Sequence, residues 1–164
     1  MRTPRWRVTL LFAASLVAAC RKEEPVKQDL PSLAVASHVE IVKTTGADVA
    51  ETVRREVVRA KADQRQVLVY VGATWCEPCQ YFHDAAAAGE LDSAFPGLRL
   101  VEFDLDRDRE ALARARYASK MIPLFALPRE DGSGSGEQIE GSIKGPGAVA
   151  QITPRLKALL GKGR

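Results

Sequence analysis

Cysteine is scarce in this chain. Three occur in 164 residues, at positions 20, 76 and 79, too few for the disulfide framework that staples small exported domains. Histidine is scarcer. Only His38 and His83 are present, so a structural zinc site built on a cysteine pair would need both. The apolar run Val8 to Ala19 falls short of the about 20 residues that cross a bilayer. No internal repeat is visible. Asp131-Gly132-Ser133-Gly134-Ser135-Gly136 lacks the G-K-[ST] ending of a phosphate loop, which excludes that mode of nucleotide binding. Asp104-Leu105-Asp106-Arg107-Asp108 starts like a calcium loop. Arg109 stands where its glycine belongs and Ala115 where its closing acid belongs, so the acids read as a strand end and a helix start, with Asp108 as the cap.

The net charge of +3 is not spread evenly. Arg2, Arg5 and Arg7 precede the apolar run, which ends in Val17-Ala18-Ala19-Cys20. A basic start, a short apolar core and small residues before a cleavage point read as an export signal over residues 1–19. Its loss removes those three arginines and no acid, which brings the 24 Lys and Arg level with the 21 Asp and Glu. The basic excess therefore belongs to the signal and gives no case for nucleic-acid binding. Val-Ala-Ala-Cys resembles the lipobox of bacterial lipoproteins. That resemblance implies cleavage before Cys20, lipidation of Cys20, and a membrane-anchored place in the bacterial cell envelope, facing the periplasm; the alternative is plain secretion with a free Cys20. Residues 20–36, with Pro25 and Pro31, read as a tether whose ends lie roughly 20 Å apart as a flexible coil.

The rest of the chain reads as one domain in which strands and helices alternate. Strands are expected at 38–42, 67–71, 98–104, 122–127 and 138–143. Helices are expected at 47–62, from Cys76 onward, at 109–119 and at 146–160. Pro154 implies a kink in the last, or a later start capped by Thr153. Val49, Val53, Val57 and Ala60 recur at helical spacing, leaving Arg54, Arg55 and Arg59 on a solvated face laced with Glu51 and Glu56. Residues 131–136 read as a flexible hairpin tip.

The centre of the chain is Trp75-Cys76-Glu77-Pro78-Cys79. An apolar, β-branched strand leads into it and good helix formers follow it. Strand, turn, C-x-x-C, helix is the context of a redox dithiol. At the helix N-terminus, backbone N–H groups and the macrodipole favour a Cys76 thiolate, the nucleophile; Cys79, a turn further in, is the resolving thiol. The same pair also suits Cu(I), which makes a copper carrier the alternative function. His83 lies about 10 Å of helical rise from Cys76 and reads as a half-exposed helix histidine.

W-C-x-P-C at 75–79, followed by Met121-Ile122-Pro123, resembles thioredoxin over about residues 37–161. Phe82 and the stretch Leu91 to Phe95 resemble the C-terminal domain of DsbD-type reductants. Glu77-Pro78 is similar to the dipeptide of membrane-tethered reductases of cytochrome c maturation. The resemblance implies an α/β domain of thioredoxin-like fold over residues 37–161, a central mixed β-sheet flanked by helices, and thiol–disulfide oxidoreductase activity on the disulfides of partner proteins, with an upstream thiol reductant. It implies a monomer without metal or cofactor other than the Cys76–Cys79 disulfide. It places Trp75, Glu77, Pro78, Ile122 and Pro123 around the active site, with a cis bond before Pro123. One position departs. Thioredoxin has a buried acid six residues before the first cysteine, a proton relay for the second, and here Tyr70 stands there. A phenol, with its ordinary pKa near 10, is a poor base at neutral pH. Proton transfer from Cys79 then needs water, Glu77 or another group. Glu77 beside the thiolate, no histidine between the cysteines and an apolar Ile122 point to reducing or isomerising chemistry, because a strong oxidant needs a heavily stabilised thiolate.

Overall fold

The structure is a computed structural model and describes residues 37–44 and 48–163. The expected export signal, the expected tether and Cys20 lie outside the described residues. Five strands form one sheet in the order β1-β3-β2-β4-β5: β1 Glu40–Lys43, β2 Gln66–Gly72, β3 Leu98–Asp104, β4 Leu124–Pro128 and β5 Gly134–Glu140. β1 and β2 pair parallel with β3, while β4 is antiparallel to β2 and β5 to β4. The helices are α1 Val49–Ala62, α2 Glu77–Ala87, α3 Leu105–Arg114 and α4 Ala148–Lys162. This mixed, two-faced sheet has the thioredoxin-like architecture expected.

Both sheet faces are covered, and β2 is apolar without interruption from Val67 to Val71. Alternation sends Leu68, Tyr70, Leu98, Leu100 and Phe125 to a core shared with Phe82 of α2 and Ile152 and Leu156 of α4. It sends Val69, Val71, Val101 and Phe103 to the other side, against Val49 and Val53 of α1 and Leu112 of α3. No helix of the described residues is long and apolar enough to cross a membrane.

Several boundaries differ from the sequence reading. Helix α3 starts four residues early. Asp104, not Asp108, is its cap, its Oδ1 accepting from the N–H of Asp106 and Arg107 at 3.0 Å each. Asp108 is buried instead and accepts from the N–H of Asp104. The helix stops at Arg114, because Arg116 turns left-handed at φ 68°. Strand β4 begins at Leu124, after the cis peptide bond Ile122–Pro123. β5 begins at Gly134 and ends at Glu140, and the loop before it is not a free tip. The Tyr117 hydroxyl donates to the Gly132 carbonyl at 2.9 Å, and Gly132, at φ 82°, lies so close to the Ala50 carbonyl that any side chain would collide with it. Helix α4 runs through Pro154 from Ala148. Thr153 does not cap a later start, since its hydroxyl donates back to the Val149 carbonyl at 2.8 Å.

Candidate functional site

Strand β2 ends at Gly72, and Ala73-Thr74-Trp75 turns the chain into α2. Cys76 is the N-cap of α2, extended at φ −83° and ψ 98°. Its Sγ accepts from the N–H of Cys79 at 3.3 Å, satisfying one of the orphan donors of the first turn. Pro78 has no N–H to satisfy there. Cys76 and Cys79 are disulfide-bonded, with Cα atoms 5.2 Å apart. Both residues are buried to nearly the same degree, 4% and 3% exposed, so exposure does not tell them apart. Their places on the helix do.

Of the other residues singled out in the sequence, Trp75 is exposed and its Nε1 donates to Asp106 Oδ2 at 2.7 Å, which ties the turn to the start of α3. Glu77 is exposed and Pro78 buried. Ile122 packs against the cluster that contains both cysteines. Because Leu124 pairs with Val71, the Ile122–Pro123 segment lies at the end of the sheet where β2 passes into the motif. The Pro123 carbonyl accepts from the Gly141 N–H at 2.9 Å. Among the described residues no group of three or more His, Cys, Asp or Glu side chains is placed to hold a metal ion.

Tyr70 lies beneath the motif, fully buried. Its ring stacks on Phe125 at 5.1 Å and meets Phe82 at 5.8 Å. Its hydroxyl donates to the Cys79 carbonyl at 3.2 Å. Gly72 permits this approach: a Cβ there would sit 3.1 Å from the Tyr70 hydroxyl and 3.4 Å from Cys79 Cβ. Burial, and next the charge of Glu102, push the phenol pKa well above its ordinary value. Tyr70 therefore stays protonated and serves as a donor and a packing group.

Glu102, which the sequence reading passed over, is brought to the site by strand register. It pairs across the sheet with Tyr70 and falls on the same face as Leu98 and Leu100. Locally the sequence marks it only as a charge on the face that carries Leu98 and Leu100, which does not by itself point to a redox site. A cleft of about 310 Å³ joins Glu102 to Cys79, Tyr70 and His83. His83 is partly exposed, as expected, with Nε2 3.8 Å from Glu102 Oε2. That oxygen is shut off from solvent and accepts no hydrogen bond among the described residues.

No family model and no curated protein matches this chain. Among solved structures, it is similar to a Trichomonas vaginalis thioredoxin at 23% identity and a TM-score of 0.48, over 76% of this chain and 97% of that one. A poplar thioredoxin h is 22% identical at 0.45, over 75% and 96%. A Schistosoma mansoni thioredoxin is 19% identical at 0.45, over 77% and 96%. The fold assignment stands on the chain's own strand order and register.

Proposed function

We propose that this chain is a thiol–disulfide oxidoreductase acting on the disulfides of partner proteins. The observation that carries the reading is the Cys76–Cys79 disulfide at the N-terminus of α2, with Cys76 as the cap and the Cys79 N–H aimed at its sulfur. Once reduced, Cys76 meets two influences that favour its thiolate, the helix dipole and that N–H. The thiolate attacks one sulfur of a partner disulfide and expels the other as a thiolate, forming a mixed disulfide. Cys79 then attacks Cys76 Sγ, expels the partner's second thiolate and regenerates the internal disulfide. The dithiol supplies both electrons, which end on the partner's two sulfurs as the internal disulfide forms. An upstream thiol reductant returns the pair to the dithiol.

Exposed Trp75 and Met121, with the Ile122–Pro123 segment, are the contacts offered to a partner chain. The Pro123 carbonyl is already committed to Gly141, which leaves the Ile122 backbone for the partner's extended strand. The finer reading is a monomeric reductant or isomerase of the bacterial envelope, held on the periplasmic side by lipid on Cys20. It is supported by the sequence of residues 1–20 and by Glu77 beside the reactive thiol. Insulin reduction by the wild type and by Cys76→Ser tests the activity. Turnover by the wild type and none by the variant is expected, and an inert wild type overturns the proposal. Cys79→Ser should accumulate mixed disulfides with partner proteins in cells.

A further inference from the structure

A resolving thiol has to lose its proton before it attacks, and a buried thiol holds that proton more tightly than a free one. Tyr70, beneath Cys79, stays protonated and cannot take it. Glu77 is exposed and lies outside the cleft that Cys79 lines. Inside that cleft stands a carboxylate with an oxygen that accepts no hydrogen bond among the described residues, Glu102 Oε2. Glu102 pairs with Tyr70 across the sheet, and the Tyr70 hydroxyl touches the Cys79 carbonyl.

We propose that Glu102, reaching from β3 into the cleft, is the proton-relay residue for Cys79; this rests on the dithiol reading above. In the step concerned, the Cys79 S–H proton passes through one water of the cleft to Glu102 Oε2. The Cys79 sulfur forms the bond to Cys76 Sγ while the bond from Cys76 to the partner breaks. The partner leaves as a thiolate with the electron pair and takes a proton from solvent. When the upstream reductant reopens the disulfide, the Glu102 proton returns to Cys79. The cleft has room for a water and the polar partners to hold it. The other charged or titratable groups lining it are Lys43 from β1, Tyr70 from β2, His83 and Asp84 from α2, Asp104 from β3 and Arg107 from α3. Tyr70 stays protonated, and Arg107 is bound to Asp108 at 2.6 Å. Asp104 is spent on the α3 cap. His83 is the rival base, a turn beyond Cys79 on α2, but its Nε2 turns toward Glu102.

Stopped-flow reaction of the reduced protein with dithionitrobenzoate separates the two steps. A first thionitrobenzoate leaves when Cys76 attacks, a second when Cys79 resolves the mixed disulfide. Glu102→Gln should leave the first phase unchanged and slow the second about 100-fold at pH 7. The deficit should shrink as pH rises and hydroxide takes over, and Glu102→Asp should restore most of the rate. An unchanged second phase, an equal slowing of both phases at every pH, or a larger loss in His83→Gln than in Glu102→Gln overturns the proposal. A wild type that releases a single thionitrobenzoate overturns the dithiol reading itself and this proposal with it. NMR of the reduced wild type gives an answer even where Glu102→Gln does not fold. The Glu102 carboxyl carbon and the Cys79 Cβ should titrate as a coupled pair, and independent curves overturn the assignment.

Discussion

The Tyr70 hydroxyl donates a 3.2 Å hydrogen bond to the carbonyl oxygen of Cys79, so a phenol of the second strand holds the second cysteine from below. It does so as a phenol that keeps its proton, and the consequences appear in stability against pH.

Burial pushes the pKa values of both Tyr70 and Tyr117 well above the ordinary phenol value. The folded state then holds protons that the unfolded chain releases near pH 10. Their contribution is complete below about pH 10 and falls as pH rises beyond it. Melting temperatures from pH 7 to 11 should show this decline, and Tyr70→Phe and Tyr117→Phe should each flatten it. Tyr70→Phe should itself cost about 1 kcal/mol at pH 7 from the lost hydrogen bond. Alkaline slopes identical to the wild type would refute the assignment.

Alkylation of the reduced protein with iodoacetamide at neutral pH should modify Cys76 before Cys79. Cys76 is the helix cap that accepts an N–H, while Cys79 lies within the first turn. Mass spectrometry of the partly labelled protein reads the order. Equal rates, or Cys79 first, reject the roles given to the two thiols.

The reduction potential should lie nearer the roughly −270 mV of thioredoxin than the roughly −120 mV of DsbA. Glu77 in the first turn opposes the thiolate, and there is no histidine between the cysteines. Equilibration against glutathione buffers measures it. A value above about −160 mV, on the scale those two proteins set, would mark an oxidant instead.

Arg99, at the opposite end of the sheet from the disulfide, binds Glu40 and Asp63 at 2.9 Å each and lies 3.7 Å from the buried Glu56. Arg59 stays 2.8 Å from Glu56 and Arg65 3.5 Å from Glu40, so Arg99→Ala leaves no acid wholly unpaired except half-exposed Asp63 and should cost about 1–3 kcal/mol. Denaturant unfolding should show the loss while the thiol reactivity of the folded fraction stays at the wild-type level. A cost within experimental error would show that the cluster contributes nothing net.

Cys20→Ser should move the protein from membrane to soluble fractions, and the mature wild type should begin at an acylated Cys20. Two or more acyl chains hold firmly where one is marginal. A free Cys20 thiol on soluble wild type would remove the anchor from the functional reading.

The features legible before any tertiary contact are those written within a few residues of one another. β3 matches its expected span from Leu98 to Asp104, which its alternation marks, and β2 extends by one residue at each end of the continuous apolar run that two covered faces leave it. The cysteine pair is legible because a helix starting at Cys76 brings residue 79 back over it. The start of α3 was not legible: Asp104 and Asp108 are both competent caps, and the choice fell to Asp104 because β3 ends there. The glycine-rich loop reads as free until Ala50 and Tyr117, distant in sequence, pack against it. Glu102 is the sharpest case. Nothing within four residues marks it as part of a redox site, since its neighbours there are Tyr70 from another strand and His83 from a helix. Strand register and helix packing bring those groups together, and these depend on the summed burial of the whole sheet rather than on any local pattern.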